Sequence, residues 1–514
     1  MVLSFEELKD KIKGCWTGKN IGGVLGAPFE CYRQVNDVSF YVQDLKGNPP
    51  PNDDLDLQLV WLNAVEKFGR QVDASILGEY WLSYIIPHWV EYGTGKVNLS
   101  AGLMPPLSGY IENKYKDSCG CFIRSEIWAC LAPGHPELAV RYSYEDAIVD
   151  HAEEGMYAEI FCAAVQSAAF VESDKYRLID IGLSYIPEDS AVAKGVNIAI
   201  SCYKAGETYI EARKKILTEV PGTFGIQNTK IKDIKEDFKQ KPPGFDAPSN
   251  IGFTIVGWLY GEDDFAKSLC IAVNCGEDTD CTAATLGAIL GIIHGDKALP
   301  KEWTEPLGGI INTCCINRLS DISIPDTVDE LTDRILRVIP NFLGHTYCDI
   351  LYSGNGFTLK TLEKDQLSCE NEPEYILYVN GGGKPKDLQI KELLALSPYG
   401  VKYNFSTFYA VLEYCDGPFV KLNEPKKLKL TIRDNGLTRH QQWVDIKIYS
   451  PDGVTIAEGK HFSAPLQNTY KYAASAEFTV ITENLTGGRI ELLIDISVLG
   501  RHTNGVIKAV LYPH

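Results

Sequence analysis

Five consecutive residues, Asn52 to Asp56, place three carboxylates and one carboxamide at the start of an apolar pattern with helical spacing. Free backbone N–H groups at a helix start favour negative charge, so a simple cap by Asn52 or Asp53 is one interpretation of this stretch. The other interpretation is a cation site, because oxygen ligands grouped in this way suit hard divalent ions.

A second acidic cluster lies much later in the chain, where Asp278 and Asp280 stand in the stretch GEDTDCTAATLGAILG. These residues again mark the point at which a turn becomes a helix. Carboxylates brought within several ångströms of one another repel and take up protons unless a cation lies between them. Two such clusters predict convergence on one site. Oxygen ligands without matching histidine or thiolate favour Mg²⁺, with Mn²⁺ or Ca²⁺ as alternatives, and two groups of oxygens predict two ions.

The elements that would position these clusters are helices. From the N-terminus to about residue 350 the apolar residues follow helical spacing. Within the helix that follows Asp280, Ala284, Gly287 and Gly291 leave little side chain on one face, so another backbone can approach closely. We therefore expect this helix at the centre of the fold.

The pattern changes after about residue 360, where apolar residues alternate with polar ones, as at Leu428, Leu430 and Ile432. This alternation is typical of half-buried strands. The sequence predicts a mainly α chain in two parts, an all-α helical bundle over residues 1–355 and a β-sandwich accessory domain over residues 365–514.

The composition excludes several classes of partner. The 514-residue chain has a formal net charge of −19 and a pI near 5.0, which would repel nucleic acid and anionic lipid. The N-terminus lacks an apolar signal core, and no run reaches the roughly 18 apolar residues that span a bilayer. Because several of the 15 cysteines sit in apolar helical patterns, reduced thiols are favoured over a disulfide scaffold. These features predict a soluble cytoplasmic protein.

Five motifs in order give a resemblance to a known family. They are GCWTGKNIGGVLGAPFE, NDDLDLQLVWL, GCFIRSEIWACLAPGHPELAVRYSYEDAIVDHAEEG, DAPSNIGFTIVGWLYG and GEDTDCTAATLGAILG. In these stretches the chain resembles the ADP-ribosylglycohydrolases over about its first 330 residues. The resemblance implies an all-α bundle that holds two magnesium ions between an early Thr-Asp-Asp motif and a late Asp-Thr-Asp-Thr motif. It also implies hydrolysis of a glycosidic bond to an ADP-ribosyl group.

Carried over by position, the family's metal ligands fall on Asn52, Asp53, Asp54, Asp278 and Asp280. The resemblance implies catalytic roles for Glu30, as general acid/base, and for Asp54. Two positions depart from the family pattern. Asn52 and Cys281 stand where threonine is usual, and because a thiol is a poor magnesium ligand, Cys281 puts the second ion in question.

The resemblance and the local chemistry together suggest a set of substrate-binding residues: Asp56, Asn113, Arg124, Glu126, His151, Gly276 and Glu277. Alternatives remain open for three of them. Arg124 and Glu126 could clamp a polar substrate or form an internal salt bridge. His151 aligns with a family histidine near the ligand, but a lone histidine on a helix is commonly structural. Asp56 gives a DDxD pattern, which together with DTDC marks a branch whose substrates are not implied by the resemblance.

These expectations lead to a metal-dependent glycoside hydrolase that cleaves an N- or O-glycosidic bond of an ADP-ribosyl group or a related sugar. The substrate would be a small molecule or a protein-linked glycosyl group, with no nucleic-acid or membrane partner. Two alternatives stay open: a hydrolase of nucleosides or carbohydrate glycosides, and a non-catalytic metal-bearing protein that binds ADP-ribose or a glycan. The presence of Glu30 favours an enzyme. The oligomeric state is not indicated.

Overall fold

The computed structural model describes residues 1–30, 33–220, 244–318, 322–351, 356–369, 390–434, 442–466, 473–484 and 488–514. The chain divides into two compact units, Met1–Val97 with Glu112–Glu370 and Asn98–Ile111 with Asn371–His514. The second unit therefore includes residues 98–111, which the sequence pattern assigned to the helical part. The predicted domain limits at 355 and 365 stay predictions.

Helices dominate the first unit. The helices of the described residues are α1 (Phe5–Gly26), α2 (Asp53–Phe68), α3 (Ala74–Tyr84), α4 (Val90–Ser100), α5 (Leu107–Tyr110), α6 (Glu126–Leu131), α7 (Pro136–Ala147), α8 (Glu153–Ala168), α9 (Lys175–Ser184), α10 (Ala191–Lys204), α11 (Tyr209–Glu219), α12 (Ala247–Tyr260), α13 (Phe265–Asn274), α14 (Thr279–His294), α15 (Lys301–Thr304), α16 (Val328–Leu343) and α17 (Ile390–Leu394). The first unit also has a small sheet of β1 (Val2–Leu3), β2 (Cys348–Ile350) and β3 (Phe357–Lys360) in the order β1-β3-β2. Among the described helices, none is long and apolar enough to cross a membrane.

Helices α1 and α14 pack against each other through small residues. A Cβ added to Gly18 would lie 2.0 Å from the carbonyl oxygen of Gly287, and one added to Gly22 would lie 2.0 Å from that of Ala283. Only glycine allows this approach, because a real Cβ would overlap the neighbouring backbone. The predicted close approach at α14 is confirmed. The contact runs antiparallel, so the end of α1 lies beside the start of α14.

The helical pattern of SYEDAIVDHAEEGMYAEIFCAAVQSAAF predicts one helix, but the structure divides this stretch into two. The stretch from Ser143 to Phe170 forms the end of α7 and the whole of α8, with a turn between them at residues 148–152. His151 therefore lies in this turn and not on a helix. The break has a tertiary cause, because the Asp150 carboxylate accepts hydrogen bonds from the buried Arg124 guanidinium.

The strands of the second unit form two sheets. They are β4 (Gly400–Asn404), β5 (Phe408–Glu413), β6 (Phe419–Val420), β7 (Pro425–Asp434), β8 (Gln442–Tyr449), β9 (Val454–Ile456), β10 (His461–Leu466), β11 (Ala474–Thr482), β12 (Ile490–Val498) and β13 (Asn504–Pro513). One sheet has the order β10-β8-β12-β13-β6, and the other has the order β4-β5-β7-β11-β9.

The alternating residues of these strands face a common core. Leu430 of β7, Ile446 of β8 and Ile494 of β12 are fully buried in one hydrophobic cluster, which draws residues from both sheets. The two sheets therefore bury their apolar residues in one shared cluster, and the predicted sandwich arrangement stays a prediction. The predicted order of a helical bundle followed by a β domain is confirmed.

Candidate functional site

The start of α2 is fixed by Asn52. Its side-chain oxygen accepts a hydrogen bond from the Asp54 backbone N–H at 2.8 Å, which is an N-terminal cap. Gly23 of α1 makes room for this side chain, since a Cβ there would lie 2.0 Å from Asn52 Nδ2. Asn52 therefore caps α2, and its predicted role as a metal ligand stays a prediction. The three carboxylates that follow it remain to be explained.

The start of α14 is held from two sides. The Asp278 backbone N–H donates to Asn250 Oδ1 of α12 at 3.1 Å, and Thr279 Oγ1 donates to the Gly26 carbonyl of α1 at 2.9 Å. The turn before Asp278 needs unusual backbone, because Gly276 has φ +71° and Glu277 has φ +70°. Asp278 and Asp280 are therefore presented by a rigid segment.

The two acidic clusters converge. One carboxylate oxygen from each of Asp53, Asp54 and Asp280 lies within 4.8 Å of the others, and Asp278, Asp280 and Cys281 form a second such group. Within the described part of the chain, Asp54 Oδ2, Asp278 Oδ1 and Asp280 Oδ1 are buried without a hydrogen-bond partner. Buried carboxylate oxygens are normally paired, so this arrangement fits an oxygen-ligated divalent cation. The roles of these residues as metal ligands stay predictions.

The electrostatics of the cluster agree with this fit. Burial raises the pKa of Asp53 to about 6, and the nearby Asp278 adds to the rise. Burial also raises the pKa values of Asp54 and Asp280 well above their usual range, and the charges of Asp54 and Glu30 act on Asp280 in the same direction. Mutual repulsion of this kind is relieved by a cation between the groups.

Cys281 lies inside the cluster. Its thiol donates to Asp54 Oδ1 across a 3.5 Å separation, and burial raises the pKa of the thiol well above the usual range. The thiol is therefore protonated at neutral pH, and it covers one Asp54 oxygen while leaving Oδ2 without a partner among the described residues. This is the structural consequence of a cysteine at the position where threonine is usual.

Glu30 lies on the exposed edge of the same region. It follows a single 3-10 turn, Ala27–Phe29, at the end of α1. Its charge contributes to the raised pKa of Asp280, and the Gly26 carbonyl, four residues before Glu30, accepts a hydrogen bond from Thr279 Oγ1 at the start of α14. The antiparallel contact of α1 with α14 explains this proximity.

Asp56 and Glu277 each have specific partners. Asp56 Oδ2 accepts backbone N–H bonds from Cys314 and Cys315, at 2.7 and 2.6 Å. Glu277 is buried and lies 2.7 Å from Arg33 Nε and 3.6 Å from an Arg213 nitrogen. Gly276 supplies the turn before Asp278, and its predicted role in substrate binding stays a prediction together with those of Asp56 and Glu277.

Arg124 and Glu126 lie inside the helical unit. Arg124 is fully buried between Asp146 and Asp150, with Nε 2.8 Å from an Asp146 oxygen. Glu126 is also fully buried, and its Oε2 lies 3.1 Å from Lys19 Nζ. Each residue thus forms an internal salt bridge, which was one of the two alternatives for this pair. Contact of either residue with a substrate stays a prediction.

His151 and Asn113 belong to the same buried network. His151 Nδ1 lies 2.9 Å from an Asp150 oxygen, and Nε2 lies 2.9 Å from Ser118 Oγ. Burial lowers the pKa of His151, so the ring is neutral at physiological pH. Asn113 Nδ2 donates to the Asp150 carbonyl at 2.7 Å. Substrate contacts for both residues stay predictions.

Lys19 is a residue of the site that the motifs did not identify. It is 1% exposed, and its positive charge acts on the Asp54 carboxyl by lowering its pKa against the larger effect of burial. The sequence does carry a signal for it, because Lys19 follows Ile12, Cys15 and Trp16 on the buried face of α1. A charged residue at the next helical position of an apolar face will be buried with that face, so it indicates a buried residue of opposite charge.

Comparison with known proteins gives three findings. A sequence model of the ADP-ribosylglycohydrolase family matches residues 4–341. The chain is 37% identical over 49 residues to ADP-ribosylarginine hydrolase Tri1 of Serratia proteamaculans (strain 568), a match that spans 10% of this chain and 13% of that protein. A solved structure described as an ADP-ribosylglycohydrolase-related protein complex is 18% identical, with a TM-score of 0.43, over 66% of this chain and 99% of that one.

Proposed function

The chain belongs to the ADP-ribosylglycohydrolase family, and from that premise we propose that it is a metal-dependent hydrolase of an N- or O-glycosidic bond of an ADP-ribosyl group or a related sugar. The convergence of Asp53, Asp54 and Asp280 within 4.8 Å carries this proposal. Asp54 Oδ2 and Asp280 Oδ1, which are buried without a partner among the described residues, and the half-buried Asp53 supply the hard ligands that the reaction's cation needs.

The cation would be held by Asp53, Asp54, Asp278 and Asp280, with Mg²⁺ as the first candidate and Mn²⁺ or Ca²⁺ as alternatives. When bound, such an ion polarises sugar oxygens and lowers the pKa of a bound water. The protein contributes rigidity, because Asn52 fixes the start of α2 and Asn250 fixes the start of α14. Because these side chains are already fixed, they lose little conformational entropy when they position a cation and its substrate.

Glu30 supplies the proton transfer. Cleavage adds water to the anomeric carbon, breaks the glycosidic bond and returns a proton to the leaving group, through a transition state with oxocarbenium character. Glu30 is exposed beside Asp280, so its carboxylate can take a proton from the water and its carboxylic acid can give one to the leaving group. Asp54, which is more buried than Glu30, orients the other aspartates that would hold the cation.

A second candidate function is a metal-bearing protein that binds ADP-ribose or a glycan without turnover. The observation that favours it is the Cys281 thiol, which lies 3.5 Å from Asp54 Oδ1 at a position where the family usually has threonine. A hydrolase of nucleosides or carbohydrate glycosides would use the same residues with another leaving group.

One experiment separates these functions. Protein supplied with Mg²⁺ is incubated with ADP-ribosyl, nucleoside and oligosaccharide substrates, and the released sugars are quantified with and without a chelator. We expect release from an ADP-ribosyl substrate that stops on chelation and falls at least about 100-fold in Asp54→Asn. The matched control is Asp180→Asn, an exposed carboxylate on α9 of the same unit.

Release from the nucleoside or oligosaccharide substrates alone would contradict the ADP-ribosyl specificity. Tight binding of ADP-ribose without release from any substrate would favour the non-catalytic function.

A further inference from the structure

Two adjacent cysteines, Cys314 and Cys315, are held by hydrogen bonds to Asp56, which lies one turn into α2. Asp56 Oδ2 accepts the backbone N–H groups of Cys314 and Cys315 at 2.7 and 2.6 Å, so both cysteines are fixed at the main chain relative to the carboxylate. One carboxylate oxygen of Asp56 and the two Sγ atoms lie within 4.8 Å of one another. The three side chains therefore form a compact group that shares no residue with the convergent aspartates.

The distance between the two sulfurs distinguishes an ion site from a disulfide. Cys314 Sγ and Cys315 Sγ are 3.7 Å apart. A tetrahedral ion with metal–sulfur bonds of about 2.3 Å holds its two sulfurs about 3.8 Å apart, whereas a disulfide requires about 2.0 Å. The observed spacing excludes a disulfide and matches the separation of two thiolates bound to one ion.

The surroundings add two features of an ion site. Cys314 is exposed and Cys315 is buried, so an ion can enter from the solvent side. Asp56 is fully buried, and its Oδ1 has no hydrogen-bond partner among the described residues. Two sulfurs with one carboxylate are a softer set than the four aspartates, and soft ligands select zinc-class ions over magnesium.

We propose that Cys314, Cys315 and Asp56 bind one thiophilic divalent cation of the zinc class. Binding forms two thiolate–metal bonds, releases one proton from each thiol to the buffer and involves no change of oxidation state. The three side chains leave one tetrahedral position for water. The proposal does not depend on the hydrolase activity, because none of these three residues is among the proposed Mg²⁺ ligands.

Cadmium is the direct probe. The reduced 514-residue protein, with Mg²⁺ in excess, is titrated with Cd²⁺ while the ultraviolet thiolate-to-cadmium absorption is recorded. We expect saturation at one Cd²⁺ per chain, and at least about tenfold weaker binding in Cys314→Ser and in Asp56→Asn. The carboxamide introduced by Asp56→Asn keeps an oxygen to accept the two N–H bonds, so this variant tests the charge with little change to the fold.

Two control variants locate the ion. Cys415→Ser removes an exposed thiol of the second unit and should leave the titration unchanged. Cys281→Ser removes a thiol of the aspartate cluster and should also leave it unchanged. Unchanged Cd²⁺ affinity in Cys314→Ser, or a signal that disappears in Cys281→Ser alone, would overturn the proposal.

The ligand atoms are tested independently by X-ray absorption of the zinc-loaded protein. Two sulfur neighbours per zinc are expected in the unmodified protein and one in Cys314→Ser. A shell of oxygen and nitrogen atoms alone in the unmodified protein would overturn the proposal.

Discussion

At the scale of single residues, the proposed function assigns cation binding to the buried carboxylates and proton transfer to the exposed Glu30. Asp54, Asp278 and Asp280 are at most 5% exposed, whereas Glu30 lies at the surface. Buried charges suit the binding of an ion, because they keep little hydration and gain most from a cation. An exposed carboxyl suits proton exchange with water.

Glu30→Gln tests this division. The amide keeps the shape of the side chain but can neither take nor give a proton, so we expect turnover to fall about 10²–10⁴-fold while Mg²⁺ affinity stays unchanged. Steady-state rates and a Mg²⁺ titration on the same preparation measure the two quantities. Unchanged turnover at saturating Mg²⁺ would remove Glu30 from the mechanism. Weaker Mg²⁺ binding, with the rate restored by added Mg²⁺, would make it a ligand instead.

At the scale of elements, the site depends on how closely α1 and α14 approach. Their glycine contacts bring the end of α1 to the start of α14, and Thr279 Oγ1 closes the junction by donating to the Gly26 carbonyl. The contact places Gly26, four residues before Glu30, against the backbone of Thr279 and Asp280.

Gly18→Ala should therefore both destabilise the protein and reduce its activity. The added methyl group would lie 2.0 Å from the Gly287 carbonyl oxygen, and overpacking of this kind costs at least about 1–3 kcal/mol. The measurement is urea unfolding followed by far-ultraviolet circular dichroism. Gly488→Ala is the control, because a Cβ at that position meets nothing within 4 Å. Equal stability of Gly18→Ala and the unmodified protein would contradict the packing described here.

The sequence was informative where local patterns determine structure. Asn52 predicted the start of α2, and the small residues of α14 predicted its close contact with another backbone. The break between α7 and α8 was not predictable, because it depends on the distant Arg124 binding Asp150. The burial of Lys19 was visible only as a charge on an apolar face. Sequence patterns report local structure well and report tertiary ion pairs only indirectly.

At the scale of the whole molecule, the second unit is not a simple C-terminal segment. Its hydrophobic core includes Leu103, Leu107 and Ile111, which lie far from the strands in sequence. These residues are 5%, 1% and 7% exposed, so the two sheets do not complete their core with strand residues alone. Burial of such side chains contributes roughly 1.5–3 kcal/mol each.

Residues 365–514 expressed alone should give a strand-type circular dichroism spectrum, and a peptide of residues 98–111 should raise its melting temperature. The rise should depend on peptide concentration, because the peptide binds only the folded sheets. A scrambled peptide of the same composition is the control. A mainly helical spectrum would contradict the predicted domain, and a melting temperature indifferent to the peptide would contradict the role of Leu103, Leu107 and Ile111.

The most direct test of the central claim is a calorimetric titration of the metal-free protein with Mn²⁺, in parallel with Asp280→Asn and Asp180→Asn. If Asp53, Asp54, Asp278 and Asp280 hold a divalent cation, the unmodified protein and Asp180→Asn should bind Mn²⁺ with the same saturable affinity. Asp280→Asn should bind at least about tenfold more weakly, because it loses a charged oxygen ligand. Equal Mn²⁺ affinity in Asp280→Asn and the unmodified protein, or no saturable binding in either, would contradict the account.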